Sequence, residues 1–419
     1  MPVEVDKAIA DEMDRLADSA WSWFVVNTHP ITGLTLDRAA NGSRGKQRSV
    51  ASLAGSGFYL GLLPIAVERR RLEEKAASQR AERTMRFALD SIDHADGIMR
   101  HFVDWTTGRR AGKSEYSLLD TSIFLHGCIV AAQRFGGTVA TLTDELLQRV
   151  RWENLKITDA SSGKDILAYG FDGTTKQILR HGANVRSSEN LMPCALAFGS
   201  RGHAIGPWCW ENMAIVSDLP PSVHDWAPPA EARGLLNAHH GLFTSYYGLA
   251  WMNLAGLHDP DGVDLWANAR RAAIFNRAVC RDVFSKSFST YRPENGGWWG
   301  LSAGDSPDGY VAPDPLVGDH NGTVWPTAAL GSFPWVSAEL SEDLASWKKS
   351  PWWPHVRGPY GLSPFSIDRT WIAAELLSID LGSFAINWWN ARNGSIHQLW
   401  ASHPVARKGL EILQFSKPH

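Results

Sequence analysis

Carboxylates and aromatic side chains lie close together in one long stretch of the C-terminal half. Residues 295–336 read NGGWWGLSAGDSPDGYVAPDPLVGDHNGTVWPTAALGSFPWV, a Gly-rich segment with four aspartates: Asp305, Asp308, Asp314 and Asp319. Carboxylates accept hydrogen bonds from sugar hydroxyls, so this composition fits a carbohydrate-binding cleft. Aspartates also cap turns, and that alternative stays open for each of the four.

The aromatic residues of this stretch indicate what the carboxylates face. The chain has 20 Trp, 16 Phe and 8 Tyr. Four aromatic residues of this segment are too apolar to leave in water: Trp298, Trp299, Tyr310 and Trp325. We expect these four to bind substrate by stacking on flat sugar rings. The alternative is an aromatic core, where each buried indole N–H needs a partner.

Three further carboxylates stand near the starts of apolar helices. Asp120 lies just inside a predicted helix, Glu189 opens another, and Asp380 is followed by a third. A carboxylate there can cap the helix or interact with its dipole. On a buried face it needs a partner or a ligand. Glycoside hydrolysis uses such carboxylate pairs.

Two residues near these carboxylates complete the candidate site. Glu115 precedes the helix of Asp120, where it either caps or lines a rim. His203 follows the helix of Glu189. We include Glu115, His203 and Asp305 among the expected substrate-binding residues.

Other chemistries lack sequence support. The chain contains no GxGxxG, Walker A or HExxH motif and no CxxC pair. We therefore expect no metal and no cofactor. The four cysteines fit free, buried thiols in a reducing compartment, and the charged N-terminal segment lacks a signal sequence. Together these features predict a cytoplasmic protein.

The elements that must position these residues are mainly helical. Apolar residues at three- and four-residue steps predict a helix from about residue 9 to 23. Further helices are predicted over residues 49–69, 72–89, 118–135, 143–150, 189–198, 208–216, 242–257, 263–283, 324–336 and 371–389. The strand signal is weak, at 168–171. We predict an all-α fold, an (α/α)6 barrel with long cleft-forming loops, and one domain over residues 1–419.

Charge and hydropathy exclude two classes of partner. The chain has 41 basic and 44 acidic residues, a net charge of −3. A nucleic-acid-binding protein needs a basic excess, and a membrane span needs about 18 or more apolar residues in a row. We expect an oligo- or polysaccharide substrate, no nucleic-acid or membrane partner, and a monomer or homodimer.

Several blocks, in this order and spacing, carry a family resemblance between about residues 30 and 395. They include TGLTLDR, SVASLAGSGFYLGLLPIAVER, HFVDWTTGRR, SEYSLLDTSIFLHG, SSENLMPCALAFGSRGHAI, WWGLSAGDSPDGY, NGTVWPTAALGSFPWV and SIDLGSF. On these blocks the chain resembles the glycoamylase-like family, the group around glycoside hydrolase family 144. The resemblance implies an (α/α)6 barrel and inverting, endo-acting hydrolysis of β-1,2-glucans.

The same resemblance implies roles for the three carboxylates. Glu189 matches the family's general acid, Asp380 matches the acidic residue taken as the base, and Asp120 matches an acidic cleft position. Proton transfer in this family is expected to run partly through a substrate hydroxyl and water. Departures at Asn321 and Pro364 leave an exo-acting or transglycosylating relative open. A non-catalytic glucan-binding protein is the alternative from another functional class.

Overall fold

The computed structural model describes residues 5–43, 45–317 and 320–418, and helices dominate these ranges. The helices are α1 Lys7–Val26, α2 Leu53–Glu68, α3 Glu74–Ser91, α4 Leu118–Phe135, α5 Gly137–Arg149, α6 Ser188–Gly199, α7 Trp208–Glu211, α8 Phe243–Tyr246, α9 Leu265–Ala278, α10 Pro326–Gly331, α11 Ser337–Trp347, α12 Trp353–Val356, α13 Ser378–Arg392, α14 Ser395–Ser402 and α15 Pro404–Leu413.

The strands are only two or three residues long and pair antiparallel in twos. They are β1 Arg38–Ala40, β2 Val50–Ser52, β3 His94–Ala95, β4 Ile98–Met99, β5 Phe102–Asp104, β6 Tyr116–Ser117, β7 Lys156–Thr158, β8 Asp165–Leu167, β9 Gly170–Phe171, β10 Gly304–Ser306, β11 Gly309–Val311, β12 Arg357–Gly358, β13 Gly361–Leu362, β14 Phe365–Ser366, β15 Trp371–Ile372 and β16 Glu375–Leu377. The all-α prediction missed these pairs because such short strands have too few positions to show an alternating pattern.

Six helices contact one another in a closed circuit. Helix α2 contacts α4, α4 contacts α6, and α6 contacts α8, while on the other side α2 contacts α13 and α13 contacts α10. The circuit closes where the Tyr246 ring of α8 packs against Gly331 of α10. The remaining long helices pack outside, with α1 against α13, α3 and α5 against α4, and α15 against α6.

The contact between α2 and α4 depends on glycine. A Cβ placed on Gly127 would lie 2.1 Å from the carbonyl oxygen of Gly57, far inside contact distance. The two backbones therefore touch directly, and both helices are buried over most of their length. This close approach fixes how the middle of α4 packs against α2.

Short strand pairs fix the start of three circuit helices. Strand β2 pairs with β5 and leads into α2, β6 pairs with β9 and leads into α4, and β16 pairs with β1 and leads into α13. Helix α4 begins at Ser117, whose Oγ accepts a hydrogen bond from the backbone N–H of Asp120. Ser187 caps α6 in the same way through the N–H of Asn190.

Most predicted helices are present, with shifted ends. The prediction for residues 118–135 matches α4, which ends at Gly136 with a positive φ of 59°. The predicted helix at 371–389 is shorter, because residues 371–377 form strands β15 and β16 before α13 begins. Helices α11, α12, α14 and α15 were not predicted.

One hydrophobic cluster extends from Ala10 to Leu413 in the described ranges. All four cysteines are free and buried, as the sequence predicted. Among the helices of the described residues, none is both long and apolar enough to cross a membrane.

Candidate active site

The first turns of five circuit helices meet at a cleft of about 520 Å³. Each of the helices α2, α4, α6, α8 and α13 contributes at least one side chain to its lining. The charged or titratable side chains at its surface are His101, Glu115, Asp120, His181 and Glu189, and its tyrosines are Tyr169, Tyr247 and Tyr310. The cleft thus combines carboxylates with aromatic surface, the combination expected for a sugar site.

Asp120 and Glu189 face this cleft together. Asp120 is the third residue of α4 and Glu189 is the second residue of α6. Burial, and next the negative charge of Asp120, raise the pKa of Glu189 to about 7. With a pKa of about 7, Glu189 is half protonated near neutral pH. Within the described residues no side-chain donor binds its carboxyl, so the carboxyl is available to a ligand.

Asp120 belongs to a hydrogen-bonded chain along the cleft wall. The Ser117 hydroxyl donates to Asp120 Oδ2 at 2.5 Å, and His101 Nε2 lies 3.3 Å from Asp120 Oδ1. The other ring nitrogen of His101 lies 2.8 Å from Glu115 Oε1. Burial disfavours the charged ring, but Asp120 and Glu115 together raise the pKa of His101 to about 9. His101 therefore carries a positive charge at neutral pH.

Asp380 opens into a separate, much smaller cavity next to the cleft. That cavity has a volume of about 10 Å³, near the minimum for one water molecule, and Asp305 also lines it. Burial, and then the charges of Asp305 and Asp37, raise the pKa of Asp380 to about 7, against the opposing charge of Arg38. Asp380 is 7% exposed.

Two tyrosines of the cleft lie close to Asp380. Tyr247 and Tyr310 line the cleft, and burial followed by the charge of Asp380 raises the pKa of each phenol. Ile379, the neighbour of Asp380, also contacts the cleft. Asp380 therefore lies near this side of the cleft without lining it.

An ion-pair network holds the hairpin β10–β11 over the small cavity. Arg38 donates from Nε to Asp37 Oδ2 at 2.8 Å and from Nη1 to Asp305 on β10. Its guanidinium carbon lies 5.8 Å from the centroid of the Tyr310 ring on β11. Tyr310 is 54% exposed, so one face of its ring is available to a ligand.

The expectation that Trp298 and Trp299 bind substrate is wrong. Both side chains are fully buried. The Trp298 ring stacks on Trp347 at 4.7 Å, and Trp299 Nε1 donates to Asp343 Oδ2 at 2.7 Å. They belong to the core, where each indole N–H finds a protein acceptor.

Trp325 and His203 also differ from expectation. Trp325 is 1% exposed and packs against Gly304 beneath the hairpin, between the small cavity and a second one of about 710 Å³. It offers no open face for stacking in the cleft. His203 pairs with Glu153 at 3.0 Å and does not line the cleft, so the structure does not bring it together with the other candidate site residues.

The other aspartates of the long stretch have separate partners. Asp308 pairs with Arg369, and Asp314 pairs with His239 at 2.7 Å. Both line the second cavity, not the cleft. Asp319 lies outside the described residues.

Sequence reasoning missed several residues of the site. Asp37 and Arg38 lie in the TLDR block, and Tyr247 lies in the only Tyr-Tyr doublet, but no spacing rule linked them to a carboxylate. No sequence feature indicated that His101 belongs to the site. Its contacts depend on the pairing of Arg100 with Tyr116, which brings two separate segments together.

Comparison with known proteins adds a family match. The sequence model of one family, described as "Glycoamylase: Putative glucoamylase", matches residues 183–404, more than half of the chain. The matched range includes Glu189 and Asp380. It excludes Asp120 and His101.

One curated relative is the "Exo beta-1,2-glucooligosaccharide sophorohydrolase (non-reducing end)" of Parabacteroides distasonis. It is 22% identical over 437 residues, which cover 97% of this chain and 58% of that protein. The chain thus spans under two thirds of the relative's length.

Two solved structures share the fold. A "putative glucoamylase" from Bacteroides uniformis superimposes with a TM-score of 0.83 and 23% identity, covering 99% of both chains. An endo-β-1,2-glucanase from Chitinophaga pinensis, in complex with sophorotriose and glucose, has a TM-score of 0.82 and 23% identity, covering 98% of this chain and 99% of that one.

Proposed function

Because the chain belongs to the glycoamylase family, we propose that it is a glycoside hydrolase that cleaves β-1,2-glucan or β-1,2-glucooligosaccharides. The observation that carries this proposal is the pair Glu189 and Asp380, two buried carboxyls with pKa values of about 7, one in the cleft and one in the small cavity. General acid–base catalysis works best when the catalytic pKa lies near the working pH. We infer the β-1,2 linkage of the substrate from the names of the relatives.

Glu189 is the proposed general acid. Its protonated form donates to the glycosidic oxygen as the bond breaks, so that the leaving sugar departs as an alcohol. Burial supports this role, because a desolvated carboxyl keeps its proton at neutral pH. The fixed charge of Asp120 adds to the effect.

Asp380 is the proposed general base. The adjacent cavity has the volume of one water molecule, which suits a base that activates a water nucleophile. Attack by that water on the opposite face of the sugar inverts the anomeric carbon. Because Asp380 lines the small cavity and not the cleft, we propose that the proton reaches Asp380 through a substrate hydroxyl or an intervening water.

Substrate binding is assigned to the cleft surface around these groups. The exposed face of Tyr310 stacks on a glucosyl ring, and Glu115 and Asp120 accept hydrogen bonds from its hydroxyls. Asp305 supports the site indirectly by holding Arg38 and the hairpin in place.

The same proposal covers the architecture. The closed circuit of α2, α4, α6, α8, α10 and α13, surrounded by outer helices, supports an (α/α)6 barrel. One hydrophobic cluster from Ala10 to Leu413 supports a single catalytic domain over residues 1–419.

Product analysis tests the reaction and its mode. Purified protein is incubated with linear β-1,2-glucan and the products are separated over time. A spread of short oligosaccharides indicates endo cleavage. Sophorose alone from the outset indicates exo action, the second candidate, which the curated relative favours. Longer or cyclic products indicate transfer, and binding without turnover contradicts the hydrolase proposal.

Paired variants test the two roles. Glu189→Gln should abolish cleavage of glucan, yet retain cleavage of an aryl β-sophoroside, because a good leaving group needs no proton. Asp380→Asn should lose both activities, and added azide should restore turnover with an inverted glycosyl azide as product. The reverse pattern would exchange the two roles.

A further inference from the structure

His101 lies in the cleft, and the mechanism above gives it no role. Its two ring nitrogens face two different carboxylates, Glu115 at 2.8 Å and Asp120 at 3.3 Å. A neutral imidazole has a single N–H and no charge, whereas the imidazolium can donate a hydrogen bond to Glu115 and form an ion pair with Asp120 at the same time. The geometry by itself therefore favours the charged ring.

We propose that His101 is a positioning residue that keeps Asp120 ionised and fixed in orientation beside Glu189. This inference rests on the proposed function of Glu189. His101 acts through Asp120, which links the imidazolium on one side to the acid on the other.

Several charges around Asp120 make this support necessary. Glu115 and Asp37 add negative potential at Asp120, and burial also favours its neutral form. His101 and the Ser117 hydroxyl stabilise the charged form, but burial outweighs them and the pKa of Asp120 stays above its ordinary value. Without His101, a buried carboxyl facing two other carboxylates would take up a proton.

The state of Asp120 determines the protonation of Glu189. The titratable groups that face Glu189 are Asp120, Tyr169 and Tyr247, and both phenols stay neutral at working pH. Among the described residues, Asp120 is the charged group that acts on the pKa of Glu189. If Asp120 becomes neutral, Glu189 releases its proton at lower pH and the enzyme loses its acid form earlier.

The test compares pH profiles of kcat/KM for His101→Gln and a matched control. Gln removes the charge but keeps one hydrogen-bond donor. The basic limb should move down by about one pH unit, the shift that ~1.4 kcal/mol of lost repulsion produces. His181→Gln, which changes a histidine of the same cleft without a carboxylate partner, should leave the limb in place.

A double-mutant cycle tests the route through Asp120. Asp120→Asn should move the basic limb by a similar amount, and His101→Gln should add no further shift in that background. Additive shifts, or an unmoved limb in a folded His101→Gln protein, would overturn the proposal.

A measurement on the wild-type protein keeps the test independent of folding and of turnover. Nitrogen-15 NMR of the His101 ring should show the imidazolium up to at least pH 8, with the His181 ring as internal reference. A neutral ring at pH 7 overturns the inference even if glucan is cleaved. If the His101 ring is charged but the protein does not cleave glucan, the proposed function is refuted and the inference about His101 is not.

Discussion

The ionisation of Asp380 should depend on one neighbour that does not contact Glu189. After burial, the charge of Asp305 is the largest cause that raises the pKa of Asp380 to about 7. It does not contribute to the shift of Glu189. Asp305→Asn therefore separates the two groups experimentally.

The magnitude follows from simple electrostatics. At an effective dielectric constant of about 20, a unit charge ~10 Å away contributes about 1.7 kcal/mol, and about 1.4 kcal/mol is one pKa unit. Removing Asp305 also frees Arg38 to act on Asp380, and this change has the same sign. The pKa of Asp380 should therefore fall by about one unit, to about 6.

The assay is the ratio of kcat/KM at pH 5 to that at pH 9. With two groups at about pKa 7, activity should peak near pH 7 and fall by about 25-fold at both pH values, so the ratio is about one. With Asp380 at about 6, the optimum should move to about pH 6.5 and the ratio should rise about ninefold. The ratio cancels any general loss of activity in the variant.

Asp308→Asn serves as the control, because Asp308 lies in the same hairpin but pairs with Arg369. Its ratio should stay near one. A ratio below two for Asp305→Asn would show that Asp380 does not set a limb of the profile, and would refute its role as the base.

Two further variants test the packing that supports the site. Trp298→Ala should lower the free energy of unfolding by about 3–5 kcal/mol in a urea titration, because the ring is fully buried. An unchanged stability with a raised KM would instead place this residue in the cleft. Gly127→Ala should lower the free energy of unfolding by about 1–3 kcal/mol, because its Cβ would overlap the Gly57 carbonyl. Gly206→Ala, whose Cβ would meet its nearest neighbour at an ordinary 3.5 Å, should change the melting temperature little, and equal effects of the two would contradict the direct backbone contact.

The expectations about Asp120 and Glu189 depended on local rules. Each carboxylate stands within three residues of a serine that caps an apolar helix, and this pattern is readable from a single segment. Placement of both in the first turn of a helix then brings them to the same cleft where the two helices pack side by side and run in the same direction. Helix α4 was predicted with its observed bounds for the same reason.

The errors in the long aromatic stretch have the opposite origin. Trp298 and Tyr310 both lie in it, among Gly and Asp, and local composition does not distinguish them. Trp298 meets Trp347 in the core, whereas Tyr310 meets Arg38 at the cleft. Residues far away in sequence decide which of the two is buried.

The sequence by itself determined the dominant helical content, the free thiols, the family and the carboxylates at helix starts, because each depends on residues within a few turns of one another or on an ordered set of motifs. Only the tertiary structure decided the contacts between those carboxylates and their charged neighbours. Arg38 reaches Asp305 across 267 residues, and His101 reaches Asp120 through strand pairing. Burial and charge at these contacts set the pKa values, and neither can be read from one segment of chain.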